Sequence, residues 1–176
     1  MMIQEDSMFR EIGVEELPED IFTGAGRGYM LVSAGSGGNF NFVAASWGSL
    51  GQLWDRTVAT VYLRRSSGTK TVADKAGRYA LSFFTQGHGG PATDADKLGG
   101  DMNAAGEAGL TPYLAEDVAA FEQADLILIC RKLYHMPISG AGFAIPDLMR
   151  DFYPEKNFHS MYMGEVVKIL VKAASE

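Results

Sequence analysis

Apolar residues in this chain gather in six short runs: 29–34 (YMLVSA), 42–47 (FVAASW), 57–64 (TVATVYLR), 79–84 (YALSFF), 124–134 (ADLILICRKLY) and 161–171 (MYMGEVVKILV). Each is enriched in β-branched and aromatic residues, so all six are predicted strands. Between the first two lies GSGGNFN, whose glycines and asparagines supply the positive φ angles of a tight connection, so that pair is predicted to be an antiparallel hairpin. Helical patterning is short by comparison. TKTVADKA (69–76) stops at Gly77 as at a C-terminal cap, while DADKL (94–98) and DMNAAGEA (101–108) are interrupted by Gly99, Gly100 and Gly109. Many strands, few helices and long glycine-bearing connections predict a mainly β protein, a closed antiparallel barrel with short peripheral helices. The stretch 85–95 (TQGHGGPATDA) reads as a surface loop, and no repeat or linker divides residues 1–176, which are taken as one domain.

Composition narrows the partners. With 15 Lys and Arg against 22 Asp and Glu, the net charge is -7, and no basic face is available to neutralise a run of nucleic-acid phosphates. A basic cluster inside such a chain points instead to a small anion. Cys130, the single cysteine, sits in an apolar run, which excludes an intrachain disulfide and is read as an inert buried thiol. The N-terminus has no basic start followed by an apolar stretch, and no run approaches the ~20 apolar residues of a membrane span, so the expected setting is cytoplasmic, without membrane contact. His88, His135 and His159 are too scattered for metal-ligand spacing, and no metal is expected.

The basic cluster is RRSSGTKT, residues 64–71. A strand runs into it and a helix leaves it, so backbone amides, hydroxyls and two guanidinium groups converge at one corner. Helix N-termini leave their first amides unpaired, and arginine offers a planar fork matched to phosphate oxygens. The other reading is a helix cap by Ser67 or Thr69 with solvated arginines. The preceding strand ends in Ala44, Ala45 and Ser46, small enough to let a flat ring approach the backbone edge, or merely to relieve crowding around Trp47 and Trp54. A planar head with an anionic tail suits both features together.

Asn41, the run Ala45-Ser46-Trp47-Gly48, Leu50-Gly51, Leu53-Trp54, Arg64, Thr69, Tyr79, Leu81-Ser82-Phe83-Phe84, Ala108-Gly109-Leu110-Thr111-Pro112, Cys130-Arg131-Lys132-Leu133-Tyr134, Tyr153-Pro154-Glu155-Lys156, His159 and Gly164-Glu165 form ordered blocks over nearly the whole chain. Together they resemble the flavin reductase-like proteins. That resemblance implies an FMN-binding split barrel, a homodimer with FMN near the subunit interface. It implies that Ala44, Ala45, Ser46 and Trp47 face the isoalloxazine and ribityl chain, with Asn41 supporting that edge. Arg64, Ser66, Thr69 and Lys70 would hold the phosphate, Ser82 and Phe84 would line the cofactor, and His159 would stand near the flavin or its hydride donor. The implied activity passes hydride from NADH or NADPH through the flavin to a flavin, metal-complex or protein acceptor; the alternative is a flavin-binding electron carrier without turnover. Two departures from the resembled pattern stand out: Ser67-Gly68 where an Arg-Tyr pair is common, and Gly99-Gly100-Asp101-Met102-Asn103-Ala104 where charged residues are common. For His159 a backbone-bonded residue at the start of its strand is an equal reading, and Lys132 and Arg131 read as solvated charges at a strand end. Trp54 and Phe158 are candidates for burial in the dimer.

Overall fold

The computed structural model describes residues 8–18, 21–22, 28–85 and 98–173. The loop at 86–95, most of the segment 94–98 and His88 therefore lie outside the described residues.

Each of the six apolar runs lies in a strand except for Ser46-Trp47 and Ala124-Asp125 at run ends: β2 (Gly28–Ser36), β3 (Asn39–Ala45), β5 (Arg56–Arg64), β6 (Arg78–Thr85), β10 (Leu126–Pro137) and β11 (His159–Lys172). Five shorter strands join them: β1 (Phe9–Glu11), β4 (Gly48–Leu53), β7 (Gly99–Gly100), β8 (Pro112–Ala115) and β9 (Val118–Phe121). Three α-helices are described, α1 (Gly68–Lys75), α2 (Met102–Glu107) and α3 (Pro146–Phe152). The β2–β3 hairpin is antiparallel as predicted, closing at Ser36 opposite Asn39, with Gly35 and Gly37 at φ 75° and 55°. A Cβ on Gly35 would lie 1.8 Å from the Asn39 carbonyl oxygen, so no other residue fits that turn. Among the described residues no helix is long and apolar enough to cross a membrane.

The main sheet runs β4-β5-β11-β10-β6-β2-β3-β7, antiparallel at each described pairing, with β1 added to the far end of β11. The expected closed barrel is not reached by hydrogen bonds: among the described residues no ladder joins β4 to β7. The physical reason lies where β3 and β5 approach each other. Ser46 and Trp47 leave the sheet after Ala45, β5 turns out of the sheet after Arg64, and the outer edge of β3 pairs only with the two glycines of β7. A gap opens there, and α1 starts beside it.

Both faces of the sheet are covered, which explains why the strands read as continuous apolar runs rather than alternating ones. Met30, Val32, Tyr79, Leu81, Leu126, Leu128 and Cys130 pack on one face with Val61, Leu63 and Tyr162. Their neighbours Leu31, Ala80, Ile127 and Ile129 pack on the other with Phe40, Phe42 and Phe121. The second face is covered by the β8–β9 hairpin, whose residues Val118, Ala119, Ala120 and Phe121 are all buried, and the Ser33 hydroxyl donates to the Ala119 carbonyl at 2.6 Å to pin it down. Cys130 is fully buried and burial pushes its thiol pKa up, in keeping with an inert thiol. Lys132 and Arg131 are not simply solvated: Lys132 donates to the Ala73 and Asp74 carbonyls at the end of α1, and Arg131 pairs with Glu165.

Two expected cofactor-lining residues sit in this core. Phe84 belongs to the buried cluster on the β8–β9 face, and Ser82 is fully buried with no hydrogen-bond partner for its hydroxyl among the described residues. An unpaired buried hydroxyl costs about 1–3 kcal/mol. Ser82→Ala is therefore expected to leave unfolding stability unchanged or raise it by up to about 1 kcal/mol in urea denaturation; a loss larger than that would show that the hydroxyl is paired. Trp54 is 58% exposed at the tip of the β4–β5 hairpin, whose turn residues Trp54 and Asp55 have φ of 52° and 55°. Phe158 instead packs within the chain, its ring 5.0 Å from that of Tyr153.

Candidate functional site

The gap between β3 and β5 holds a cavity of about 500 Å³. Its walls are residues 41–47, 62–64 at the end of β5, 66–68 at the start of α1, Gly99 and Gly100 of β7, and His159 at the start of β11. Of the twelve expected site residues, Asn41, Ala44, Ala45, Ser46, Trp47, Arg64, Ser66 and His159 line this one space. Thr69, Lys70, Ser82 and Phe84 do not.

The corner forms because β5 cannot continue. Ser67 N–H donates to the Arg64 carbonyl at 2.9 Å in a turn, and Arg65 N–H crosses to the Phe158 carbonyl at 3.1 Å. Ser67 then takes the N-cap position of α1 in an extended conformation, but its side chain makes no cap bond and no acid stands in the first turn. Neither Ser67 nor Thr69 caps the helix by its hydroxyl. Thr69 is fully buried and donates at 2.7 Å to Asn41 Oδ1, tying α1 to β3. Gly68 permits this approach, since a Cβ there would stand 3.2 Å from Asn41 Nδ2. The sequence expectation that the Thr69 hydroxyl meets an anion therefore has to be narrowed: its hydroxyl proton is already spent on Asn41. Lys70 faces away, its amine 2.6 Å from Asp74.

What remains open to the cavity is consistent in sign. Among the described residues Arg64 pairs with no carboxylate, whereas Arg56, Lys70, Arg78, Arg131, Arg150 and Lys168 all do. The Ser66 oxygen accepts from Asn157 Nδ2 at 2.9 Å, leaving the hydroxyl proton free to donate. The Gly68 and Thr69 amides have no acceptor within the helix, whereas the Lys70 amide donates to the Ser67 carbonyl at 3.2 Å, and among the described residues no Asp or Glu lines the cavity. In a chain of net charge -7 this corner is locally positive.

The opposite end is flat and apolar. Ala44 and Ala45 present small side chains, and the amides of Ser46 and Trp47 are outside the ladder because both residues have left the sheet. The Ala44 amide, by contrast, is used up on the Leu98 carbonyl at 2.8 Å and is not available to a ligand. Trp47 stands 43% exposed, its ring 5.6 Å edge-on from Phe152 and 5.0 Å from His159. Gly99 and Gly100 complete the wall; sequence reasoning marked this loop as a departure without assigning it to the site. Gly100 has φ 146°, and a Cβ on it would lie 2.6 Å from Ala104 Cβ, so the close return of this backbone depends on glycine.

His159 is buried, with Nδ1 2.8 Å from the Tyr153 hydroxyl. Burial first, and the Arg64 guanidinium second, lower its pKa to about 4, so the ring is neutral at physiological pH. In the unfolded chain it would protonate near its ordinary value of about 6.5. Between these two values the unfolded state binds the extra proton, so stability falls as pH drops from about 6.5 to about 4, by up to ~3 kcal/mol. His159→Gln is expected to flatten that part of the stability-pH profile in urea titrations, and an unchanged slope would contradict the assignment.

No family model matches the sequence and no curated protein gives a significant match. The fold, however, has close parallels among solved structures. One is an FMN-binding domain of a flavin reductase-like enzyme from Shewanella baltica, with TM-score 0.58, 17% identity and coverage of 93% of this chain and 77% of that one. Another is nitrilotriacetate monooxygenase component B from Bacillus cereus, with TM-score 0.61, 16% identity and coverage of 92% and 80%. A third is an NADH:FAD oxidoreductase from Streptomyces globisporus in complex with NAD and FAD fragments, with TM-score 0.58, 14% identity and coverage of 85% and 78%. What this chain shares with these three proteins, at 14% to 17% identity, is the fold.

Proposed function

We propose that the β3–β5 cavity binds FMN and that the protein is a flavin-dependent oxidoreductase of the flavin reductase-like type. The observation that carries this reading is the meeting in one cavity of Arg64, which pairs with no carboxylate among the described residues, and the start of α1 with the small-residue ledge of Ala44, Ala45 and Ser46. Such a cavity fits a ligand that is planar at one end and anionic at the other, and FMN has that shape and charge. Arg64, the Ser66 hydroxyl and the amides of Gly68 and Thr69 would hold the phosphate. Asn41, fixed by Thr69, would offer its free amide to the chain between phosphate and ring, and Trp47 and His159 would bound the ring.

A bound flavin would supply the redox chemistry, hydride transfer from NADH or NADPH and onward reduction of a flavin, metal-complex or protein acceptor. The chain's own part is to grip the tail, to keep the ring in a slot poor in charge, and to present a neutral imidazole in place of an acid or base. A homodimer is part of the proposal, with the exposed Trp47, Leu148 and Phe152 as the apolar surface a second copy would cover.

Absorption spectra of the purified protein before and after FMN addition test the reading; a protein that stays colourless after reconstitution overturns it. Anaerobic titration with NADH and NADPH then separates the enzyme from a flavin-binding electron carrier, which would bind FMN yet oxidise neither donor. Light scattering reports the dimer.

A further inference from the structure

Tyr153 follows α3 directly, its amide bonded to the Met149 carbonyl at 2.9 Å, and a turn at residues 153–156 returns the chain to β11. Its side chain is buried against Phe143 and Phe158, with ring centroids 5.9 and 5.0 Å away. Only the hydroxyl leaves this apolar nest, and it ends 2.8 Å from His159 Nδ1. Burial raises the phenol pKa, so the phenol keeps its proton.

We propose that Tyr153 is a positioning residue that fixes the tautomer of His159, making Nδ1 the acceptor so that Nε2–H is the donor offered to a carbonyl oxygen in the cavity. Among the described residues Nδ1 is the one hydrogen-bond partner of the Tyr153 hydroxyl, so a phenol proton directed at Nδ1 is paired, whereas the reverse arrangement would leave that proton without an acceptor in an apolar nest. A neutral imidazole carries a single N–H, so an accepting Nδ1 places it on Nε2. The charged and titratable groups around the pair are Arg64, which faces His159 across the β5–β11 ladder and opposes its protonation, and Tyr62 of β5. Neither competes for Nδ1 among the described hydrogen bonds. The tautomer half of the proposal stands without a flavin; the donor half rests on the reading above, in which the ring of a bound flavin or its nicotinamide donor presents carbonyl oxygens to this wall.

Long-range ¹⁵N–¹H correlation spectra of the unloaded protein at neutral pH read the tautomer directly, with the His159→Gln spectrum identifying which signals belong to His159. A protonated Nε2 with a bare Nδ1 is expected in the wild type, and a mixture of tautomers in Tyr153→Phe. A protonated Nδ1 in the wild type, or the same tautomer pattern in Tyr153→Phe, overturns the assignment; if Tyr153→Phe does not fold, the wild-type spectrum alone decides it. For the donor half, FMN titration compares His159→Gln, whose amide nitrogen reaches the Nε2 position, with His159→Asn, whose amide reaches only the Nδ1 position. Gln is expected to retain affinity about tenfold better than Asn, and equal affinities overturn this half. If the wild type takes up no FMN, the flavin reading falls while the spectra still decide the role of Tyr153.

Discussion

Arg64→Ala is expected to weaken FMN binding by about 30-fold, the roughly 2 kcal/mol of a charge-assisted hydrogen bond to phosphate, while leaving riboflavin binding within about twofold. The difference between the two ligands is the phosphate alone, so fluorescence titrations with both isolate the corner from the ledge. Arg64→Lys keeps the charge and loses the fork, and falls between. The lost affinity should shrink in high salt, because the wild-type interaction at this open corner is itself screened. Thr69→Ala behaves differently: its hydroxyl is buried against Asn41, so its removal is expected to cost about 1–2 kcal/mol of stability and to act on the ligand only through a loosened Asn41. Equal FMN and riboflavin losses in Arg64→Ala would remove the phosphate from this corner.

Gly164→Val is expected to destabilise the fold by about 4 kcal/mol, a drop in Tm of about 10–15 °C. Gly164 lies in β11 between Ala59 of β5 and Lys132 of β10. A Cβ there would stand 2.6 Å from the Tyr79 hydroxyl, 2.8 Å from Cζ of that ring and 2.9 Å from Cys130 Cβ. The ring cannot yield freely, since its hydroxyl donates to the Ala59 carbonyl at 2.8 Å and the residue is 1% exposed. The variant thus combines overpacking with a broken buried hydrogen bond, each about 1–3 kcal/mol. Gly164→Ala in a Tyr79→Phe background removes the nearest contact and should recover part of the loss. Denaturation of Gly164→Val within about 1 kcal/mol of wild type would mean that the interior has slack that this packing does not show.

The long strands were readable because burial on both faces leaves unbroken apolar runs such as LILIC, and such runs are visible without knowing what covers them. The short strands were not, for separate reasons. β4 reads GSLGQL, with two glycines and a glutamine, and is held as an edge partner of β5 rather than by its own composition. β7 has no side chains at all. β8 and β9 turn on Glu116 and Asp117 at φ 50° and 67°, a two-residue turn without the usual glycine. α3 did carry a signal in Ile145-Pro146-Asp147, a proline at the first helical position followed by an acid.

At the site, the ledge and the arginine were legible as small residues and a charge out of place. The partner of Thr69 was not, because sequence distance hides that α1 starts against β3. Nor was Tyr153, whose link to His159 depends on a turn that includes Lys156 at φ 57°. Ser82 and Phe84 were placed on a strand correctly, but β2 lies between that strand and β3, none of its residues lines the cavity, and nothing along the chain records that order.

Glu165 of β11 receives Arg56 from β5 on one side and Arg131 from β10 on the other. Sliding β11 by one residue would expose its core and is forbidden by the hydrophobic pattern alone. Sliding it by two keeps inward residues inward, and burial cannot detect the error. That shift would set Met163 or Val167 between the two guanidinium groups and strand the carboxylate elsewhere. A single acid thus acts as an alignment mark for three strands, rejecting the misthreaded sheets that apolar matching would accept.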